Sequence, residues 1–188
     1  MNVIIFGPPG AGKGTQAALL RERLGMEHFS TGEEFRRHIT NGTALGQQIR
    51  AIVESGDLVP DAIVLDVVRD ALQSERFRNG CIFDGFPRTL EQAYALDKLL
   101  AEIGQAVDAV LTIDVPDDEL VRRMLARGRS DDTESVIRER LRIYRERTEP
   151  VLEYYQRQGK LFRILGNAPI EQVHQEIRTV LSSLATKQ

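Results

Sequence analysis

The feature that most constrains the fold is a glycine-rich segment that directly follows the first apolar run of the chain. Residues 2–6 read NVIIF, residues 7–15 read GPPGAGKGT, and an apolar pattern with helical spacing comes next. This is the strand–loop–helix setting of a phosphate-binding loop. Glycines lack a Cβ atom, so successive backbone N–H groups can point inward around phosphate oxygens. The helix N-terminus adds partial positive charge and Lys13 adds a full one, so the sequence predicts a phosphate-binding loop.

Composition excludes several classes of protein. The 188 residues fit one domain, and 41% hydrophobic with 28% charged residues is typical of a globular chain and not of a disordered one. No apolar stretch approaches the ~18 residues that span a bilayer, and the N-terminal run is too short for a signal peptide. We therefore expect a soluble, cytoplasmic protein. The single Cys81 excludes a disulfide framework, and a net charge of −3 argues against nucleic-acid or membrane-surface binding.

Apolar runs of strand length alternate with helical patterns, which indicates an α/β fold with a parallel sheet covered on both faces. The five strand candidates are residues 2–6, 27–30, 81–83, 109–113 and 161–165. Thr89 and Gln92 match a capping box at the start of one helix. Residues 30–60 contain short, glycine-punctuated helices and predict an inserted helical unit, while residues 127–133 predict a short polar loop. The core is then 1–29, 61–126 and 134–188.

Helical geometry places Arg140 on the inward arc of a long helix that begins near Thr133. An inward arginine needs an anionic partner, which is either a ligand phosphate or a structural carboxylate. Arg147 also falls on the inward arc, without an assigned role. Asp84 ends the third apolar run and is the candidate carboxylate for Mg²⁺, because Gly14 occupies the position where the general motif has Ser or Thr. A helix cap or turn former is the alternative for Asp84.

Three motifs together carry a family resemblance. They are the phosphate loop, the run DGFPR at 84–88, and Ser30-Thr-Gly32 followed by Arg36. With them the chain resembles the adenylate kinase family, in the form with a short lid and no zinc, from Met1 to about Leu184. The resemblance implies a P-loop NTPase-type fold in which 30–60 binds AMP and 127–133 is the lid. It also implies transfer of a phosphoryl group from Mg-ATP to AMP to give two ADP, in a monomer.

The same resemblance implies roles for individual residues. Expected ATP-binding residues are Gly10, Ala11, Gly12, Lys13, Gly14, Thr15, Arg123, Arg127 and Gly166. Expected AMP-binding residues are Thr31, Arg36, Asp57, Leu58, Val59, Gly85, Phe86, Pro87, Arg88, Gln92, Arg129 and Arg140. Gln92 is expected to hydrogen-bond the adenine edge, and Asp84 to hold Mg²⁺ through water. The expected catalytic cations are Lys13, Arg88, Arg123, Arg129 and Arg140.

Two other functions remain open from the sequence. A UMP/CMP-type kinase is the nearest, although Thr31 and Thr89 favour AMP, since the pyrimidine-specific relatives resemble Ala and Asn there. A nucleotide switch without kinase activity would bind one nucleotide, whereas Arg36, Arg88 and Gln92 favour a second site.

Overall fold

A five-stranded, fully parallel sheet forms the centre of the computed structural model, which describes residues 1–129 and 132–186. The strands are β1 (Asn2–Phe6), β2 (Glu27–Ser30), β3 (Cys81–Asp84), β4 (Val107–Asp114) and β5 (Leu161–Leu165). Their order across the sheet is β2-β3-β1-β4-β5. The predicted α/β fold is confirmed, and β4 is longer at both ends than the predicted run 109–113.

Nine α-helices lie in the part of the chain that the structure describes. They are α1 (Lys13–Leu24), α2 (Thr31–Thr40), α3 (Ala44–Ser55), α4 (Asp61–Leu72), α5 (Leu90–Glu102), α6 (Asp117–Arg127), α7 (Glu134–Ile143), α8 (Glu149–Arg157) and α9 (Ile170–Ala185). A 3₁₀ turn at Glu75–Phe77 precedes β3, and a π-helical turn at Tyr144–Thr148 joins α7 to α8. None of the described helices is both long and apolar enough to cross a membrane.

The apolar sequence of β1 has a simple cause, since both faces of the sheet are covered. Val3 and Ile5 belong to a core cluster with residues of α1, α6, α7 and α9. Ile4 and Phe6 point to the opposite face and join a cluster with residues of α3, α4, α5 and α8. Successive side chains of a strand alternate between faces, so a strand buried on both sides is apolar along most of its length.

The carboxyl ends of three strands meet at one edge of the sheet and define where a ligand can bind. Ile5 of β1 pairs with Asp84 of β3, and Ser30 of β2 pairs with Asp84 as well. β1 lies between β3 on one side and β4 on the other, so the chain changes direction across the sheet there. In open α/β sheets ligands bind in the crevice beyond the carboxyl ends at such a point. The glycine-rich loop leaves β1 at this position.

The π-helical turn between α7 and α8 changes which residue faces inward. Glu149 N–H donates to the Tyr144 carbonyl, five residues back, and Pro150 has no N–H for a normal helical bond. The extra residue in this turn rotates the rest of the helix. Arg147 is therefore exposed and Thr148 is buried, so the predicted inward position of Arg147 is wrong by one residue.

The predicted capping box at the start of α5 forms only in its first half. Thr89 Oγ1 accepts a hydrogen bond from Gln92 N–H at 3.2 Å, as predicted. The Gln92 side chain does not return to the N–H of Thr89, however, and its Oε1 accepts from Arg88 N–H at 2.7 Å. Gln92 thereby ties the start of α5 to the segment that precedes it, which includes the DGFPR motif.

Candidate active site

The glycine-rich loop adopts backbone conformations that its glycines make possible. Gly10 has φ of +86°, and a Cβ atom there would lie 3.0 Å from the Leu120 carbonyl oxygen of α6. Gly12 caps α1 in the left-handed region, with φ of +97°. Side chains at either position would strain the backbone. The loop therefore brings its main chain against the N-terminus of α1, where backbone N–H groups are available to an anion.

Lys13 lies at the first position of α1 and folds back over the loop. Its Nζ donates to the Gly7 carbonyl at 2.9 Å and to the Pro8 carbonyl at 3.1 Å. Burial lowers the pKa of Lys13 to about 8, the Asp84 carboxylate opposes this shift, and the charges of Arg88, Arg127 and Arg129 add to it. An ammonium group surrounded by other cations gains more than usual from an incoming polyanion.

Asp84 ends β3 directly beside the phosphate loop. Its carboxylate is buried, and an ideal Cβ on Gly14 would lie 3.8 Å from its Oδ2. Burial by itself raises the pKa of Asp84, but the neighbouring His28 and the charges of Lys13 and Arg88 outweigh it, so the pKa falls below its usual value. Asp84 is therefore ionised, with His28 Nε2 at 3.5 Å from its Oδ2.

The segment after Asp84 positions the Arg88 guanidinium. Arg88 Nε donates to the Gly85 carbonyl at 2.7 Å, and Thr31 Oγ1 donates to the same carbonyl at 2.9 Å. Thr148 Oγ1, in the π-helical turn, donates to the Arg88 carbonyl at 3.0 Å. Arg88 is thus held through its main chain and its side chain at once. The contact from Thr31 connects it to the first residue of α2.

The carboxylate of Asp132 connects the described arginines around the predicted lid. Arg127 binds it with two bonds, Nε to Oδ2 at 2.9 Å and Nη2 to Oδ1 at 2.7 Å. Arg140 Nη1 lies 3.2 Å from Oδ1, and Arg129 N–H donates to Oδ2 at 3.2 Å. Burial raises the pKa of Asp132, whereas the hydrogen bonds and the charge of Arg127 lower it by a larger amount. The pKa therefore lies below its usual value and the carboxylate is ionised. Arg140 therefore contacts a carboxylate of the chain itself, and its binding of a ligand phosphate stays a prediction.

Arg140 also reaches the helices of the predicted insertion. Its Nη2 lies 3.5 Å from the Val53 carbonyl of α3, and its side chain is only 15% exposed. Gly56, which follows α3, packs so closely that an added Cβ would lie 3.0 Å from Arg140 Cγ and from Val136 Cγ1. α3 and α7 therefore meet beside the site, where the segment Asp57–Val59 begins.

Arg123 connects α6 to the loop between β5 and α9. Its Nε donates to Glu119 Oε1 at 2.6 Å and its Nη2 donates to the Gly166 carbonyl at 3.0 Å. The hydrogen bonds from Arg122 and Arg123 lower the pKa of Glu119 to about 2. Gln16 Nε2 ties α1 to the start of α9 through the Ile170 carbonyl at 3.1 Å. These contacts hold α6, the loop after β5 and the start of α9 together beside the phosphate loop.

One cavity of about 860 Å³ is lined by the phosphate loop, Asp84, Arg88, Arg123 and Arg140. Every residue that the sequence predicted for ATP, AMP, Mg²⁺ or catalysis lines it, from the phosphate loop and Asp84 to Thr31, Arg36, the segment 57–59, the run Gly85–Arg88, Gln92 and the arginines. The structure brings the predicted residues together, and their individual roles remain predictions. A cavity of this size with convergent cations suits a large, polyanionic ligand.

A family model described as adenylate kinase matches residues 5–160 of the chain. The chain belongs to the adenylate kinase family. A protein named adenylate kinase from Thermus thermophilus is 50% identical over 183 residues, covering 95% of this chain and 96% of the relative. A relative of the same name from Nocardia farcinica is 47% identical over 175 residues, covering 93% and 96%. The family resemblance seen in the motifs is thereby confirmed.

This member of the adenylate kinase family is shorter than some of its relatives. The adenylate kinase from Methanothrix thermoacetophila is 40% identical over an alignment of 212 positions, which covers 97% of this chain and 99% of the relative. The alignment is longer than the 188 residues of this chain, so that relative has residues with no counterpart here. Residues 130 and 131 of the predicted lid at 127–133 lie outside the described residues.

Several residues of this site were missed by sequence reasoning, although the adenylate kinase resemblance was clear. Asp132 carried a signal, because it lies between two predicted arginine positions and an inward Arg140 needs an anion. Thr148 carried none, because the π-helical turn that buries it has no clear sequence pattern. Asp61 had no predicted role in the site, yet its side chain contacts the predicted AMP-binding residue Gln92.

Proposed function

We propose that this chain transfers the terminal phosphoryl group of Mg-ATP to the phosphate of AMP and gives two ADP, reversibly. The observation that carries the proposal is a single cavity that holds both sets of predicted residues. The phosphate loop, Thr31 and Gln92 all line it, and seven predicted cations line the same space. Membership of the adenylate kinase family favours this reaction over the UMP/CMP kinase and over the one-nucleotide switch.

ATP would occupy the end formed by the phosphate loop, Lys13, Arg123, Arg127 and Gly166. AMP would occupy the end formed by α2, the segment Asp57–Val59, and the run from Gly85 to Gln92. ATP and AMP together carry roughly six negative charges, so their phosphates repel each other strongly. The lining cations oppose that repulsion and hold the two phosphates in line. Positioning and charge stabilisation are the main contributions that a protein makes to phosphoryl transfer.

No general base is needed for this reaction. The attacking atom is a phosphate oxygen of AMP, and a phosphate monoester has a second pKa near 6, so it is mostly deprotonated at neutral pH. Arginines suit the task because the planar guanidinium can bind oxygens of two phosphates at once. Arg88 and Arg140 approach the cavity from opposite elements, the β3–α5 segment and α7, which fits a bridging role in the transition state.

Mg²⁺ fits this site as a metal held mostly by water and substrate. Asp84 is an ionised carboxylate beside the phosphate loop, and no group of three or more acidic, histidine or cysteine ligands occurs among the described residues. Mg²⁺ commonly binds through one or two carboxylates together with waters and substrate phosphates. When bound, it would neutralise charge on the phosphate oxygens. Asp84, through water, and Thr15 would orient it; the expected lack of zinc stays a prediction.

The division into a core, an AMP-binding insertion at 30–60 and a lid at 127–133 belongs to this proposal. Both units border the cavity, so their closure over bound nucleotides would exclude water and prevent hydrolysis of ATP. Gly32, Gly56 and Gly128 are the proposed hinge positions. We also propose a cytoplasmic monomer that binds neither nucleic acid nor membranes, which gel filtration and fractionation would test.

A coupled assay of ADP formation with ATP and each of AMP, CMP, UMP and GMP tests the reaction. We expect the highest kcat/KM with AMP; the highest value with CMP or UMP would contradict the proposal. Arg88→Ala should raise the KM for AMP or lower kcat at least tenfold with little change in ATP affinity, because it removes a positioned cation. Arg37→Ala is the matched control, since Arg37 pairs with Glu34 on the exposed face of α2.

A further inference from the structure

Gln92 has an amide side chain whose orientation is fixed by two neighbours. The residue is 1% exposed and lines the cavity. Its Oε1 accepts from Arg88 N–H at 2.7 Å, and its Nε2 donates to Asp61 Oδ1 at 2.6 Å. The reverse orientation would place the amide oxygen against a carboxylate and the NH₂ group against an N–H donor. Since a carboxylate only accepts and a backbone N–H only donates, both neighbours require the same orientation.

Asp61 is one of the two neighbours that fix the orientation of the Gln92 amide. It is the first residue of α4, where a negative charge is favoured by the helix dipole. Its carboxylate, however, reaches across to the start of α5, where Thr89 Oγ1 donates to Oδ2 at 3.1 Å while Gln92 occupies Oδ1. Helix capping alone would not require both oxygens to contact another helix. Thr89 in turn orients the Asp61 carboxylate toward Gln92.

The oriented amide retains one N–H donor and one oxygen lone pair for a ligand in the cavity. An adenine edge offers the complementary pair, a donor at N6 beside an acceptor at N1. A 6-oxopurine such as hypoxanthine or guanine offers the reverse pair, an acceptor at O6 beside a donor at N1. In the same base position, a 6-oxopurine could bind this amide only if the amide turned over.

We propose that Asp61 is a specificity-determining residue, which prevents the Gln92 amide from turning over and so excludes 6-oxopurine monophosphates from the AMP site. This proposal rests on the proposed function, in which Gln92 faces the adenine of AMP. A free glutamine amide can serve either kind of purine. With the Asp61 carboxylate next to Nε2, the reversed amide loses a hydrogen bond and gains a repulsive contact between two oxygens. Such a penalty corresponds to about 10- to 100-fold in the relative use of the two bases.

Inosine monophosphate is the sharpest probe, because it differs from AMP only at position 6 and in the proton on N1. The experiment measures kcat/KM for AMP and for inosine monophosphate with the wild type and with Asp61→Asn. An asparagine amide can either accept or donate, so it can pair with the Gln92 amide in both orientations. The variant therefore removes the repulsive contact at position 61 and leaves the one between the reversed amide and Arg88 N–H. We expect the ratio of AMP to inosine monophosphate to fall at least tenfold, mainly because the use of inosine monophosphate rises.

Asp66→Asn is the matched control, because it makes the same change on α4 at an exposed residue that pairs with Arg69. It should leave the ratio unchanged. Asp61→Ala is a second variant with the same expected direction. Both substrates are measured on one preparation, so a smaller folded fraction cancels from the ratio. A ratio within twofold of the wild type, or one that falls only through loss of AMP activity, overturns the proposal. A wild type that does not phosphorylate AMP would instead refute the proposed function itself.

Discussion

Gly46→Ala is expected to separate the two helices of the proposed insertion. Gly46 lies in the first turn of α3, where a Cβ atom would be 2.1 Å from the His38 carbonyl oxygen and 2.7 Å from the Ile39 nitrogen of α2. These are backbone atoms and cannot move aside as a flexible side chain would. Ordinary contact of a Cβ begins near 3.4 Å, so the helices must separate by about 1 Å or more at this point.

The magnitude follows from what lies between the helices. Phe35 of α2 and Ile49 of α3 are buried, and Ile39, Ile52 and Leu45 pack against the same cluster. A gap of about 0.5–1 Å forfeits a quarter to a half of the dispersion energy of each contact. Over these side chains, and with overpacking costs of 1–3 kcal/mol as a guide, we expect a loss of about 2–4 kcal/mol in the free energy of unfolding. That is a large fraction of the ~5–15 kcal/mol of a typical domain.

Urea denaturation measures this loss in the free energy of unfolding. Enzyme kinetics shows whether the AMP site is the part of the protein that is affected. The KM for AMP should rise while the KM for ATP changes little, because α2 carries Thr31 and Arg36. Gly32→Ala is the control for stability. The atoms nearest to its added Cβ belong to the flexible Arg36 guanidinium, at 3.3 Å, and alanine favours a helix by about 0.5–1 kcal/mol. A Gly46→Ala variant within 0.5 kcal/mol of the wild type would refute the reasoning.

Two further predictions concern pH. Lys13 loses its proton above its pKa of about 8, so kcat/KM for ATP should fall about tenfold per pH unit above that value; kcat should fall less, because bound phosphates favour the charged form. A pH profile of Lys13→Arg should be flat over the same range, and a flat wild-type profile would contradict this. His174 is buried without a described hydrogen-bond partner, and burial lowers its pKa below 6.5. The neutral His174 side chain stabilises the fold fully above about pH 6.5, and this contribution is lost as the pH falls toward the lowered pKa. His174→Leu should therefore reduce the drop in Tm between about pH 7.5 and 5.5. A drop as large as that of the wild type would contradict this prediction.

Features set by short stretches of sequence could be predicted. The β1 run and the phosphate loop depend on neighbouring residues, because burial on both faces demands continuous apolar residues and the loop demands glycines. The inward position of Arg140 followed from helical spacing within one unbroken helix. The residues that the family motifs predicted for the site all line one cavity.

The errors have physical reasons that lie beyond local sequence. The predicted inward Arg147 assumed a constant helical period, whereas the π-helical turn adds one residue and buries Thr148 instead. The second half of the capping box failed because Gln92 Oε1 accepts from Arg88 N–H, while Gln92 Nε2 donates to Asp61, 31 residues away. Partners this distant in sequence are set by how α4 and α5 pack, which no spacing rule contains.

The helical stretch from Glu134 to Arg157 is a rod that touches the cavity at three places. Near its beginning Arg140 contacts Asp132 and the Val53 carbonyl, and past the π-helical turn Thr148 contacts the Arg88 carbonyl. Closely packed interiors transmit strain. In the proposed closure, a displacement of Asp132 would therefore reach α3 and Arg88 through the same helical stretch, which would couple the proposed insertion and lid to the centre of the cavity.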